Sequence, residues 1–121
     1  MSYKALIIDD DALITQVMDT VLSSRGAETH ILNASDDIAF EIKSFAPDVI
    51  LCDLTMPGKS GLEILKMTRD NADTANIPFI FMTAHEKADA EEMVRPHGAH
   101  PVLTKPIQKD SLVTAIDKAL G

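Results

Sequence analysis

The feature that most constrains the fold is an uninterrupted apolar run, residues 49–52, that ends at an acidic residue, Asp53. A strand with one face in water alternates apolar and polar residues, and this run does not alternate. It is typical of a strand covered on both faces, as in a parallel sheet between two helical layers. Pro57, Gly58 and Gly61 then break regular structure. Asp53 is therefore expected where open α/β sheets bind ligands, although it could also simply close a turn.

Short apolar runs alternate with helical patterns along the whole chain. Strands are predicted over residues 4–8, 27–32, 49–52, 77–82 and 102–104. A first helix ends at Gly26, further helices cover about 35–44, 60–69 and 86–95, and Pro106 opens the last one. Five such alternations predict an α/β fold, a doubly wound parallel sheet with helices on both faces.

The helical patterns also predict which residues face the sheet. The first helix is expected to bury one stripe consisting of Leu13, Ile14, Val17, Met18, Val21 and Leu22. The last helix is expected to turn inward Leu112, Ala115, Ile116, Ala119 and Leu120. The helix over 86–95 offers few packing candidates, namely Ala88, Ala90, Met93 and Val94. It should therefore be the least firmly anchored helix.

Length and composition limit the possible classes of protein. The chain has 121 residues, 45% of them hydrophobic, which suits one domain over residues 1–121 with a core that needs no disulfide or metal. Its net charge of −8, without a basic cluster, argues against direct nucleic-acid binding. The single cysteine, Cys52, lies in the apolar run and is interpreted as a small buried hydrophobe, which favours a reducing compartment. No signal peptide or membrane span is predicted, so a cytoplasmic location is expected.

Polar side chains with a role in phosphoryl chemistry follow several of the predicted strands. Asp9 and Asp10 follow the first strand, Asp53 the third, Thr83 the fourth and Lys105 the fifth. If the first and third strands are neighbours, the carboxylates converge at the point where the strand order reverses. Clustered carboxylates repel one another, so a cation would stabilise them. Mg²⁺ suits this role because it accepts few carboxylates together with water and phosphate oxygens, with Asp9 and Asp10 as direct or water-mediated ligands.

A carboxylate beside such a metal can attack a phosphoryl group and form an aspartyl phosphate. Asp53 is the candidate nucleophile. Lys105 is placed to neutralise the charge on the phosphoryl oxygens. Thr83 can donate its hydroxyl to a phosphoryl oxygen, a contact that would exist only in the phosphorylated state and would shift a conformational equilibrium.

Each of these residues also has a simpler explanation. Asp10 or Asp11 could cap the first helix, and for Asp11 capping is favoured over metal binding. Thr83 with Glu86 matches a capping box. Lys105 before Pro106 is an ordinary helix entry. The functional interpretation depends on their joint placement at one end of the sheet.

Four sequence segments, in this order and spacing, carry a resemblance to a known family. They are IIDDD at residues 7–11, DLTMPGKSG at 53–61, FMTA at 81–84 and GAHPVLTKP at 98–106. With them, the whole chain resembles the receiver domain of bacterial two-component response regulators, including the chemotaxis-regulator type. The resemblance implies a flavodoxin-like fold, a five-stranded sheet in the order 2-1-3-4-5 with five helices on its two faces.

The resemblance also implies functional roles. Mg²⁺ would be bound by Asp9, Asp10, Asp53 and the backbone carbonyl of Thr55. Asp53 would accept a phosphoryl group from a histidine kinase or a histidine phosphotransfer protein, with Thr83 as the switch residue and Lys105 as the phosphoryl contact. The domain would catalyse only its own phosphotransfer and dephosphorylation. A downstream target or output domain would bind through the fourth helix, fifth strand and fifth helix. A cis peptide bond before Pro106 is also implied.

Two features depart from the family pattern or modify it. Receivers usually carry Tyr or Phe three residues before the lysine, and here that position is Val102. A branched aliphatic side chain has little rotamer range, so switching is expected to differ. Thr55 and His85, each two residues beyond a site residue, would border the phosphoryl group and tune its hydrolysis.

Other functions fit the sequence less well. Gly58-Lys59-Ser60 is similar to part of a phosphate-binding P-loop, but Asp53 occupies the position of that loop's first glycine. A flavin carrier of the same fold would need more aromatic residues, and the four His have no zinc-ligand spacing. His30, His97 and His100 are interpreted as surface or packing residues. A docking module independent of phosphorylation remains an alternative, and a stand-alone or adaptor protein is slightly favoured over a piece of a longer one.

Overall fold

A computed structural model of the chain describes residues 2–98 and 100–121, so that Ala99, inside the 98–106 motif, lies outside the described residues. The main sheet consists of five strands: β1 (Lys4–Ile8), β2 (Glu28–Leu32), β3 (Val49–Asp53), β4 (Phe79–Thr83) and β5 (Val102–Thr104). They lie in the order β2-β1-β3-β4-β5 and every neighbouring pair is parallel. The predicted flavodoxin-like order is therefore confirmed.

Five α-helices connect or follow these strands: α1 (Ala12–Ser24), α2 (Ile38–Phe45), α3 (Gly61–Asp70), α4 (Lys87–Val94) and α5 (Lys109–Leu120). A 3₁₀ turn, Arg95–His97, extends α4. Between β3 and α3, the chain forms a small antiparallel hairpin, in which Thr55–Met56 pairs with Lys59–Ser60. In the part of the chain that the structure describes, no helix is long and apolar enough to cross a membrane.

Two hydrophobic clusters cover the two faces of the sheet. One combines sheet residues such as Ile7 and Leu51 with residues from α1 and α5. The other combines Leu6 and Phe81 with residues from α2, α3 and α4. All residues of β3 and β4 are buried, as the absence of alternation in the 49–52 run predicted. The sheet therefore lies between two layers of helices.

The apolar stripe predicted for α1 is partly wrong. Leu13 is 71% exposed and Val17 is 49% exposed, whereas Thr15, Met18 and Leu22 are buried. The face of α1 that meets the sheet is narrower than the sequence pattern suggested. Thr15 fits this face because its hydroxyl donates to the carbonyl of Ala12 at 3.0 Å, inside the helix. Leu13 and Val17, four residues apart, form an apolar pair on the surface.

The predicted start and inner face of the last helix also need correction. α5 begins at Lys109 and not at Pro106, because Gln108 still has an extended backbone. The peptide bond between Lys105 and Pro106 is cis, as the family resemblance implied. Leu120, expected to face inward, lies in the last turn of α5 and is 39% exposed.

The fourth helix packs against the rest of the domain through few side chains. α4 buries Ala90 and Val94, whereas Ala88 and Met93 are exposed. Its N-cap residue makes no side-chain hydrogen bond. The capping box considered as the simpler explanation of Thr83 and Glu86 is not formed, because the hydroxyl of Thr83 accepts the N–H of His85 at 3.0 Å and Glu86 is itself the N-cap.

Candidate functional site

The strand order brings four of the predicted site residues to one edge of the sheet. β1 and β3 are neighbours, with Ile8 paired to Cys52, so Asp9 and Asp53 follow adjacent strands. Thr83 is the last residue of β4, and Lys105 directly follows β5. These are the next two strands of the sheet, and both run parallel to β3. The convergence expected from the sequence is therefore present, at the carboxyl ends of parallel strands.

Lys105 lies between the two buried carboxylates. Its Nζ is 2.9 Å from Asp9 Oδ2 and 3.2 Å from Asp53 Oδ2. Its backbone N–H donates to the carbonyl of Thr83 at 2.7 Å, which anchors the residue at the end of β4. Burial lowers the pKa of Lys105, but its contacts with Asp9 and Asp53 outweigh burial and raise it overall. The ammonium group is therefore a permanent positive charge at neutral pH.

Asp53 is a buried carboxylate that is less acidic than usual. Burial raises its pKa, the charge of Asp9 raises it further, and Lys105 and the N–H of Thr55 only partly compensate. Asp53 Oδ1 accepts that N–H at 3.3 Å. The described groups around Asp53 therefore leave its negative charge incompletely neutralised, which is the situation that an added cation would correct.

Asp9 is buried and has an oxygen available for a ligand. Its Oδ1 accepts the backbone N–H of Asp11 at 2.9 Å. Its Oδ2 forms an ion pair with Lys105 Nζ at 2.9 Å. A carboxylate oxygen has more than one lone pair, so Asp9 can accept a bond to a hard cation such as Mg²⁺ beside Lys105.

Asp10 and Asp11 are placed differently from Asp9. Asp10 is exposed, and its Oδ1 accepts the N–H of Ala34 at 2.6 Å in the loop between β2 and α2. Asp11 caps α1 by accepting the N–H groups of Leu13 and Ile14, as the favoured alternative predicted. Within residues 2–98 and 100–121, no three His, Cys, Asp or Glu side chains are already grouped to hold a metal ion. Asp9 and Asp53 are the two buried carboxylates among the predicted metal ligands, and both contact Lys105.

Thr83 is buried at the end of β4, on the strand next to Asp53. Its hydroxyl oxygen accepts one N–H, from His85, and the hydroxyl can still donate its own hydrogen. That leaves one hydrogen-bond donor available at the edge of the sheet where Asp53 lies.

Gly61 has a role that the sequence interpretation missed. A Cβ on this residue would lie 2.5 Å from the carbonyl oxygen of Asp53 and 3.0 Å from the Cα of Leu54. Its N–H donates to the Leu54 carbonyl at 2.8 Å. The sequence interpretation gave Gly61 only as a breaker at the start of the helix predicted over about 60–69, and it is the first residue of α3, directly behind the Ser60 cap. The only signal in the sequence was a glycine at the start of a helical pattern.

The comparisons with known proteins agree with this fold. The structure is a flavodoxin-like α/β domain with buried carboxylates and a lysine at the carboxyl edge of its sheet. The sequence matches the response regulator receiver domain over residues 5–117. The chain belongs to this family, the signalling domains of two-component systems. This membership sets aside the P-loop enzyme and the flavin carrier.

Three similar proteins illustrate the relationship. The DNA-binding transcriptional regulator NtrC of Klebsiella pneumoniae is 33% identical over 117 residues, covering 97% of this chain and 24% of the relative. A Francisella response regulator receiver domain is 28% identical, with a TM-score of 0.84 over 98% of this chain and 96% of that one. The receiver domain of a Pseudomonas aeruginosa sensor histidine kinase, with magnesium in its active-site cleft, is 20% identical, with a TM-score of 0.87 over 100% and 99%. The chain spans about a quarter of the length of the curated NtrC relative.

Proposed function

We propose that residues 1–121 act as a single receiver domain. Asp53 accepts a phosphoryl group from a histidine kinase or a histidine phosphotransfer protein, in a Mg²⁺-dependent reaction that we place in the cytoplasm. The observation that carries this proposal is the buried arrangement in which Lys105 contacts both Asp9 and Asp53. A fixed cation beside a carboxylate nucleophile is what transfer of a negatively charged group requires.

The residues would share the chemistry as follows. A carboxylate oxygen of Asp53 attacks phosphorus, the new P–O bond forms, and the P–N bond to the donor histidine breaks with its electron pair left on nitrogen. The ammonium of Lys105 compensates the charge of the phosphoryl oxygens. The hydroxyl of Thr83 donates to one of them. No separate substrate is turned over, because the domain modifies only itself.

Asp9, Asp53 and the backbone carbonyl of Thr55 would hold Mg²⁺. Asp10 would join them through water or after losing its bond to the N–H of Ala34. When bound, Mg²⁺ supplies positive charge and orientation for the phosphoryl oxygens. The burial of Asp9 and the raised pKa of Asp53 support this ligand set, because a cation would offset the charge of both carboxylates. The magnesium ion in the related Pseudomonas receiver domain supports it as well.

Water would later hydrolyse the aspartyl phosphate and return the domain to its resting state. Thr55 and His85 are exposed and follow Asp53 and Thr83 by two residues each. We propose that these side chains control how easily water reaches the phosphoryl group.

The signal would leave through α4, β5 and α5. A groove of about 1000 Å³ runs along these elements, lined by charged residues such as Lys87, Glu91 and Asp110 and by apolar ones such as Val102. α4 is the wall of this groove that is held by few buried side chains. The face would dock an output domain or a separate protein. A docking module of the same fold that needs no phosphorylation is the alternative.

The test is the intact mass of the chain after incubation with Mg²⁺ and acetyl phosphate. The wild type should gain one phosphoryl adduct, and removal of the metal with a chelator should abolish it. Asp53→Asn should gain none. Asp110→Asn, which alters an exposed carboxylate of α5, is the matched control and should behave like the wild type.

Equal labelling of the wild type and Asp53→Asn would show that Asp53 is not the acceptor. If acetyl phosphate gives no adduct, the same comparison is made with a phosphorylated histidine kinase. Failure with both donors would favour the docking module.

A further inference from the structure

His100 contacts both the end of α4 and the neighbouring strand β4. Its ring meets the ring of buried Phe81 edge-on, with the centroids 5.9 Å apart and the planes at 89°. Its Nε2 lies 3.1 Å from the carbonyl oxygen of His97, in the 3₁₀ turn that ends α4. Because a carbonyl oxygen can only accept, Nε2 carries the hydrogen and donates it. One side chain thus links two elements that are separate in sequence.

The local backbone is shaped around this side chain. Gly98 has a φ of +113°, a conformation that favours glycine. A Cβ at Gly98 would also lie 3.2 Å from His100 Nε2, closer than an ordinary contact. The N–H of Phe81 donates to the carbonyl of Pro101 at 2.9 Å, so backbone and side chain connect Phe81 to this same segment.

Phe81 connects the site to His100. Thr83 and Phe81 are two residues apart on β4, so their side chains lie on the same face of the sheet. Phe81 belongs to the hydrophobic cluster that includes Ala90 and Val94 of α4. Val102, at the usual aromatic position, carries no ring, so among the described residues the aromatic contact between β4 and the end of α4 comes from His100.

We propose that His100 is a positioning residue that anchors the C-terminal end of α4 to β4. When Thr83 bonds the phosphoryl group, the displacement of β4 passes through Phe81 and His100 to the 3₁₀ turn. The anchoring needs no phosphoryl group, whereas the transmission rests on the proposed function. The docking face would then respond at the end of α4.

The test is hydrogen–deuterium exchange of the full chain, measured by mass spectrometry over residues 91–98. In the unphosphorylated protein, His100→Ala should raise the exchange of this segment roughly fivefold, because both contacts of the ring are lost. His97→Ala is the control, since His97 contributes only its backbone carbonyl, and it should match the wild type. His100→Phe, which keeps a ring against Phe81 but loses the N–H donor, should lie between them.

The same proteins are then compared after phosphorylation, with the adduct on Asp53 checked by intact mass. Phosphorylation should change the exchange of residues 91–98 in the wild type, and His100→Ala should lose this change although its adduct forms to the same extent. Unchanged exchange in unphosphorylated His100→Ala would overturn the anchoring. A full response in phosphorylated His100→Ala, or none in the phosphorylated wild type, would overturn the transmission. If neither acetyl phosphate nor a phosphorylated histidine kinase gives an adduct, the proposed function and the transmission are both overturned, whereas the anchoring is still decided by the first comparison.

Discussion

Lys105 lies within 3.2 Å of two buried carboxylates, and its positive charge reduces their mutual repulsion. The compensation is incomplete, since the pKa of Asp53 stays above its ordinary value.

The thiol of Cys52, the residue before Asp53, is buried. Burial raises the pKa of its thiol well above the ordinary range, and Sγ donates to the carbonyl of Asp53 at 3.3 Å. The prediction of Cys52 as a small buried hydrophobe is therefore confirmed.

The raised pKa of Asp53 predicts a pH-dependent effect of Asp53→Asn on stability. A carboxyl group whose pKa rises on folding contributes stability below its unfolded value, here 3.8, and loses it as the pH rises through the folded value. In chelator at neutral pH, Asp53→Asn should therefore melt a few degrees higher than the wild type. The difference should shrink as the pH falls towards 4. The measurement is thermal unfolding by circular dichroism across this range.

Adding Mg²⁺ provides the internal control for that experiment. Ligand binding to the folded state should raise the melting temperature of the wild type more than that of Asp53→Asn. A variant Asp53→Asn that is less stable than the wild type at neutral pH without metal would contradict this prediction. It would show that the ion pair between Asp53 and Lys105 stabilises the fold by more than burial of the Asp53 charge costs.

At the scale of elements, the first residue of α3, Gly61, lies unusually close to Asp53. We expect Gly61→Ala to destabilise the fold by about 1–3 kcal/mol, because the new Cβ would collide with the backbone at Asp53. The same displacement should slow phosphorylation by acetyl phosphate. Urea unfolding and the rate of adduct formation measure the two effects.

Gly58→Ala, in the hairpin just before α3, is the matched control. Gly58 has a φ of +72°, but a Cβ there would meet no atom within 4 Å. The substitution should cost about 1 kcal/mol through backbone strain and leave the phosphorylation rate nearly unchanged. Equal loss of rate in both variants would mean that general loop strain, and not the contact with Asp53, is responsible.

The exposed pair on α1 lies near the site, because α1 starts just after Asp9 and Asp11. In the proposed function a donor protein brings its phosphohistidine to Asp53, so the apolar surface of Leu13 and Val17 is a suitable docking contact. Changing both residues to Ser should weaken phosphotransfer from a histidine kinase that phosphorylates the wild type. Phosphorylation by acetyl phosphate should stay the same, since the small donor needs no docking. Radiolabel transfer and intact mass measure the two reactions.

Phe40→Ser is the control for an exposed apolar residue elsewhere. Phe40 lies on α2 and is 62% exposed. The Phe40→Ser variant should be phosphorylated by the histidine kinase and by acetyl phosphate as well as the wild type is. A parallel loss with both donors in the Leu13 and Val17 variant would instead indicate damage to the site itself.

At the scale of the whole molecule, the net charge of the chain affects whether it can bind nucleic acid. The formal charge is −8, and 19 acidic residues outnumber 11 basic ones. The NtrC relative is a DNA-binding regulator, but the chain matches only about a quarter of it. We expect this chain alone not to bind duplex DNA even at low salt, because phosphate repulsion dominates.

Fluorescence anisotropy of a labelled duplex tests this prediction, with a basic DNA-binding protein as the positive control. A rise in anisotropy that salt abolishes would contradict it. The acidic character would also favour a partner whose docking surface is basic.

The strand pattern and the chemistry of the strand ends could be predicted from the sequence because both are local. An apolar run without alternation indicates a buried strand wherever it pairs, and five alternations with helices restrict the topology to few solutions. Asp9, Asp53, Thr83 and Lys105 could be selected in the same way, since each stands at the end of such a run. Their functional roles remain proposals.

The tertiary structure alone decided the direction and the partner of each side chain. Asp10 bonds to Ala34 and Asp9 faces Lys105, although they are neighbours in sequence. Leu13 and Val17 are exposed although their spacing matches a buried stripe. The close approach of Gly61 to Asp53 depends on how the chain folds back towards the end of β3 after the hairpin. These features arise from contacts between residues distant in sequence, which no local pattern specifies.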